Sequence, residues 1–167
     1  NTYFPENAPE AAKYYSSLRV HHGIPPRGKN GLFPDTLARN LIHGYYACVS
    51  YVDAQVGRII DELEKLGLAE NTIIIFWGDH GMLLREHGLW RKFYNYEKAT
   101  HAPLIVKVPW KKPGLESSAL VEFVDIYPSL CELAGLNKPY HLQGESFAPL
   151  LENPGQYHEK DVFYRTK

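Results

Sequence analysis

From Leu41 onward the apolar positions fall at steps of three and four: Leu41, Tyr45, Cys48, Val52, Val56, Ile59, Leu63 and Leu66. That spacing is one face of an α-helix. Asp35, following Pro34, suits the N-cap and Gly67 suits the stop, so the pattern predicts a helix over 36–66. At about 1.5 Å per residue such a helix is about 45 Å long. Asp53, Arg58, Asp61, Glu62, Glu64 and Lys65 fall off the stripe and read as its solvated face. The next pattern is different in kind. Thr72-Ile73-Ile74-Ile75-Phe76-Trp77 is a nearly continuous apolar run, the mark of a strand covered on both faces in a parallel sheet. A second strand, Leu104 to Val108, begins after Pro103 and stops at Pro109. Val121-Glu122-Phe123-Val124 reads as a short strand or as the lead-in to a helix. Asp125 then caps a helix over 126–134, closed by Gly135. A helical turn near 147–151 and the start of a strand at Val162-Phe163-Tyr164 complete the order. Strands alternating with helices make the fold class α/β.

Residues 1–34 carry no such periodicity. Pro5, Pro9, Pro25, Pro26 and Pro34, with Gly23, Gly28 and Gly31 between them, predict a loop-rich lead-in containing a short helix from Pro9 to Ser16. Composition narrows the class. With 44% hydrophobic and 22% charged residues the chain is globular, and a formal net charge of −1 gives no nucleic-acid footprint and no polybasic membrane surface. No apolar run approaches the roughly 20 residues of a membrane helix, and no secretory signal opens the chain. Its start at Asn1 rather than Met reads as a processed or cut piece of a longer protein. Cys48 and Cys131 have neither CxxC nor zinc-finger spacing, and each lies in an apolar helical pattern as a small hydrophobe.

The chemistry concentrates at Gly78-Asp79-His80-Gly81, directly after the first strand. Open α/β sheets bind ligands just past the carboxyl ends of their strands, and here the chain sets a carboxylate beside an imidazole between glycines that allow a sharp turn. Such a pair can ligate a metal ion or exchange protons. The plain alternative is a surface turn after a core strand.

The stretch from Gly78 through Arg85-Glu86-His87-Gly88-Leu89-Trp90-Arg91-Lys92 resembles the second half of a sulfatase active site, in the iduronate-2-sulfatase branch of the alkaline phosphatase superfamily. Ser50 to Gly57, Thr100-His101-Ala102-Pro103-Leu104-Ile105, Val121 to Leu130 and Gln143 to Phe147 fall in the order of that family. Each motif is weak alone, and the ordered set, from about residue 35 to the end, is specific. The resemblance implies a fragment of an alkaline-phosphatase-like three-layer sandwich with a mostly parallel sheet. It divides the chain into a lead-in at 1–34, the later portion of the catalytic domain at 35–160, and the first strand of a C-terminal subdomain at 161–167. It implies that Asp79 is a metal-ligating carboxylate and His80 the neighbouring ligand, where many sulfatases have Asn. The implied metal is calcium, with magnesium or zinc as alternatives because imidazole suits softer ions than oxygen ligands do. Lys92 corresponds to the lysine that contacts the sulfate group, Arg91 beside it leaving open a merely solvated pair. His87 contacts substrate or orders its loop, the second being favoured; Trp90 pins that loop. His101 contacts substrate or packs, and His21 and His22 could face a glycan.

What the chain lacks matters as much. A sulfatase needs a Cys/Ser-x-Pro-x-Arg signature whose Cys or Ser is oxidised to formylglycine, and neither Cys48 nor Cys131 lies in one. The resemblance therefore implies part of an enzyme hydrolysing sulfate monoesters, on glycosaminoglycan or other glycan sulfates, inactive by itself. Its implied partners are the rest of the sulfatase chain and a sulfated glycan, with self-association of the isolated piece. The family suggests an exported, periplasmic or lysosomal address. Two other readings stand beside it: a phosphatase or phosphonate hydrolase of the same superfamily, and a non-catalytic scaffold.

Overall fold

A computed structural model describes residues 3, 6–10, 32–156, 158, 161 and 162. The expected helix at 9–16 and the strand from Val162 fall largely outside these, as do His21 and His22. The chain forms two compact units, one running to Val106 and the other starting at Lys107.

In the first unit, α1 spans Asp35–Lys65. Its start corrects the expected cap: Pro34 is the N-cap, and Asp35 is the first helical residue, turned to Arg85 instead of its own backbone. Its end follows the sequence. Gly67 takes φ 68°, its N–H bonds the Glu64 carbonyl at 2.9 Å and Leu68 N–H bonds Leu63 at 3.0 Å, the paired bonds of a Schellman stop. Strand β1 is Ile74–Trp77 and pairs with β4, Leu104–Lys107. Between them lie the two-residue strands β2 (Leu83–Leu84) and β3 (Trp90–Arg91), antiparallel with Leu83 opposite Arg91, and a one-turn helix α2, Glu97–Thr100.

The core of this unit lies under the β2–β3 hairpin. Leu83, Leu89, Tyr94 and Ala99 form one buried cluster. Phe33, Ala38 and Trp90 form another, reaching Leu37, Leu41 and Ile42 on the first turns of α1. Burial elsewhere departs from the pattern. Ala38 alone is buried on α1, while Val52 and Ile59 of its stripe are 50% and 70% exposed and Cys48 is exposed. On the sheet, Phe76, Trp77 and Ile105 are 40%, 47% and 61% exposed, so β1 is not covered on both faces by the described residues. Apolar area of this size, spread along a helix and a strand pair, drives association in water. The isolated 167-residue chain is therefore expected to elute as oligomers or aggregates in light scattering. A monodisperse monomer would contradict this.

In the second unit, Phe123–Asp125 form a 3₁₀ turn that leads into α3, Ile126–Leu133. The 121–124 segment is thus the lead-in and not a strand. Asp125 is fully buried and does not cap α3 with its side chain. Its carboxylate accepts from Glu122 N–H at 2.7 Å and from Glu145 N–H at 2.9 Å, tying residues 20 apart. Ser129 extends the clasp: its hydroxyl donates to the Asp125 carbonyl at 2.6 Å and accepts from Phe147 N–H at 2.8 Å. Gly144 has to be glycine, since a Cβ would lie 2.1 Å from the Val124 carbonyl oxygen. Gly135, at φ 67°, ends α3 as Gly67 ends α1. On the surface Lys111 pairs with Glu152. The hydrogen bond from Lys111, and then its charge, hold the Glu152 carboxyl below its usual range. That small stabilisation is present above the ordinary carboxylate range and fades as pH falls through the lowered value.

Candidate functional site

The turn after β1 is fixed by backbone contacts before any side chain acts. Gly78 N–H donates to the Pro103 carbonyl at 3.1 Å and Gly81 N–H to the Ala99 carbonyl at 2.9 Å. The approach at Gly81 is so close that a Cβ would sit 2.2 Å from the Lys98 carbonyl oxygen. Only glycine lets the turn lie against that segment.

Between these glycines, the structure brings Asp79 and His80 together. His80 Nε2 lies 3.4 Å from Asp79 Oδ2, with the carboxylate side chain 82% exposed and the imidazole 21% exposed. The other ring nitrogen, Nδ1, is 2.7 Å from the Gly81 carbonyl oxygen. A carbonyl only accepts, so Nδ1 carries the proton. In the neutral ring Nε2 then presents a lone pair on the Asp79 side. This is the arrangement seen where a ligating histidine donates its second N–H to a backbone carbonyl. The donor chemistry fits a divalent ion, and it fits only part of a shell. Among the described residues no three His, Cys, Asp or Glu side chains gather to hold a metal.

The hairpin beyond this turn is held at both ends and strained in the middle. Arg85, His87 and Arg91 have φ of 93°, 54° and 80°, the non-glycine residues with positive φ among those described. Left-handed backbone costs about 1–2 kcal/mol at a residue with a Cβ, so the surroundings must impose it. They do. Arg85 pairs with Asp35 at the head of α1, and the Trp90 ring packs on Phe33 at 6.0 Å. The Glu86 carboxylate accepts from Leu84 N–H at 2.6 Å, and Arg85 N–H bonds Leu89 across the turn at 2.9 Å. His87 stacks on Tyr96 at 4.6 Å between centroids, with Nδ1 3.0 Å from the Tyr3 carbonyl.

At the end of the hairpin, Arg91 and the following Lys92 meet at one ring. Lys92 Nζ lies 5.8 Å and the Arg91 guanidinium 5.9 Å from the Phe93 centroid. His101 stands apart with a partner of its own, Glu97, at 2.9 Å across one turn of α2. Tyr96 and Phe93 do not stand out in sequence reasoning; their only signal is an aromatic residue within a few positions of each candidate.

These features sit on a chain whose relatives are known. The Sulfatase family model matches residues 2–136. The chain belongs to the sulfatase family. It is 39% identical over 142 residues to human iduronate 2-sulfatase, covering 70% of this chain and 26% of that protein. A solved chain described as in complex with its substrate D-glucosamine-2-N,6-O-disulfate superposes with a TM-score of 0.68 at 38% identity, covering 74% of this chain and 26% of its own. A phosphonate monoester hydrolase from Silicibacter pomeroyi superposes at 0.57 with 33% identity, covering 64% and 22%. This sulfatase chain thus spans about a quarter of the length of the relatives it matches. The fold is that of the sulfatases' α/β domain, as the alternation of elements predicts.

Proposed function

We propose that this chain supplies part of the active centre of a sulfatase that hydrolyses sulfate monoesters of glycans, glycosaminoglycans foremost, through a formylglycine nucleophile that these 167 residues do not contain. On this reading the chain is inactive alone. The observation that carries it is the turn after β1, where Asp79 and the proton-fixed imidazole of His80 offer adjacent oxygen and nitrogen donors. Asp79 and His80 would hold a divalent ion, calcium by family, which when bound supplies electrostatic stabilisation to the reacting ester. Lys92 would hold the anionic oxygens of the sulfate group, where negative charge shifts as the sulfur–oxygen bond breaks. Water adds to sulfur overall, and the alcohol leaves with a proton. His87 serves by ordering the hairpin through Tyr96 and Tyr3. The family's exported, periplasmic or lysosomal address is part of the same proposal.

The likeness to a phosphonate monoester hydrolase keeps a second reading in view. A substrate panel on the protein as its gene encodes it separates them. Glucosamine 6-sulfate and a uronic-acid 2-sulfate are expected to release sulfate at least about a hundred-fold faster, by kcat/KM, than the phenyl monoester of methylphosphonate releases phenol, a gap of about 2.7 kcal/mol in transition-state binding. The reverse order would make the chain part of a phosphonate hydrolase. No turnover of either class would favour the scaffold reading.

A further inference from the structure

Arg91 and Lys92 carry two adjacent positive charges to one exposed aromatic ring, and neither side chain has a carboxylate or hydrogen-bond partner among the described residues. Phe93 is 59% exposed, so its ring is open to solvent as well as to the cations. We propose that Arg91, Lys92 and Phe93 form a subsite for a saccharide bearing at least two anionic groups: Lys92 engages one, Arg91 the second, and the Phe93 face packs on the sugar ring. This rests on the glycan-sulfatase reading and adds to it a requirement for a polyanionic substrate, with Arg91 as the residue that imposes it.

Three observations converge. The first is charge. Elsewhere on this unit Arg85 and Lys65 meet carboxylates, those of Asp35 and Glu62. At Phe93 the positive charges have a ring quadrupole and, among the described residues, no counter-charge, so an incoming sulfate or carboxylate can pair with both. The second is chemistry. A guanidinium presents a planar fork of donors that matches a sulfate or carboxylate, while an ammonium acts as a point charge, so the two are fitted to different anions of one ligand. The exposed ring of Phe93 beside them suits the apolar C–H face of a sugar. The third is backbone. Arg91 holds φ 80° inside strand β3, opposite Leu83, where glycine would sit without strain. A side chain kept at a strained position between a fully buried Leu83 pairing and a buried Trp90 is kept for what it does, not for the strand.

That strain makes a clean test available. Arg91→Gly removes the guanidinium and relieves the backbone, so it is expected to fold with an unchanged or raised Tm. Binding is measured by calorimetry on the protein as its gene encodes it, with glucosamine 6-sulfate and glucosamine N,6-disulfate as probes. The wild type is expected to bind the disulfate at least about tenfold more tightly, the worth of one charge-assisted contact. Arg91→Gly is expected to lose that preference while its affinity for the monosulfate stays within about twofold, and Arg91→Lys to recover part of it. Phe93→Ala is expected to weaken both probes alike. Equal wild-type affinity for the two probes, or a preference that survives in Arg91→Gly, overturns the subsite. These outcomes are read in binding alone. A wild type that binds the disulfate selectively yet hydrolyses no sulfate ester would sink the sulfatase reading and leave the subsite standing.

Discussion

Replacing Lys92 by alanine is expected to lower sulfate-ester turnover by about a hundred- to a thousand-fold, the scale on which losing one positioned transition-state donor acts. The argument has two parts. A sulfate monoester is already an anion when it binds, so an ammonium beside it contributes to ground-state affinity, and KM should rise. As the ester bond to sulfur breaks, charge moves toward the leaving oxygen, and a cation fixed nearby gains on the way to the transition state; kcat should therefore carry most of the loss. The structure shows what holds the backbone that carries this cation. Lys92 follows a residue in left-handed backbone, at the end of a hairpin clamped by Arg85 to Asp35 and by Trp90 to Phe33. Its contact with the Phe93 ring is worth about 0.5–1 kcal/mol at an exposed site, too little for its loss to unfold the domain. Thermal melting should accordingly shift by no more than a few degrees in Lys92→Ala. Lys92→Arg keeps the charge and changes the geometry, and a partial recovery of kcat is expected. Turnover within a few-fold of wild type in Lys92→Ala would place the lysine outside the reaction.

How the site is built shows what a sequence can carry. The C-terminal helix limits were legible because they are written locally: a glycine just past the last periodic residue closes α1 and α3 by the same pair of backbone bonds. The end of β1 was legible for the same reason, an apolar run stopped by Gly78. The hairpin was not. Strands of two residues leave no period to read, and nothing in Arg85, His87 or Arg91 announces positive φ. At Arg85 and His87 the partners lie far along the chain, Asp35 being 50 residues from Arg85 and Tyr3 84 from His87. Asp125 shows a subtler gap. A carboxylate before a helix reads as its cap, yet this one reaches back to Glu122 and across to Glu145, because its burial makes each backbone donor worth more than a solvated cap. The exposed stripe on α1 marks the opposite case. Periodicity correctly predicts the helix and its apolar face, but burial of that face depends on what packs against it, which no helix encodes in its own residues.

The turn after β1 makes the second large prediction. Asp79→Ala is expected to weaken divalent-metal binding by more than about a hundred-fold in the protein as its gene encodes it, above the roughly 10–100-fold that loss of an outer-shell partner costs. His80→Ala should act in the same direction, and His80→Asn should act selectively. An asparagine oxygen serves calcium or magnesium as well as imidazole does, and serves zinc worse. Competition calorimetry should therefore show zinc affinity falling at least about tenfold more than calcium affinity in His80→Asn. The physical basis lies in the ring's orientation: with Nδ1–H committed to the Gly81 carbonyl at 2.7 Å, Nε2 is the one nitrogen left to bind. That carbonyl belongs to a residue pressed against the Lys98–Ala99 backbone, so the ligand face is set by main chain and not by a rotatable neighbour. An alanine variant at Asp79 that binds calcium, magnesium and zinc as wild type does would remove this turn from the metal site. A His80→Asn variant with unchanged metal preference would show that the imidazole faces the ion's surroundings and not the ion.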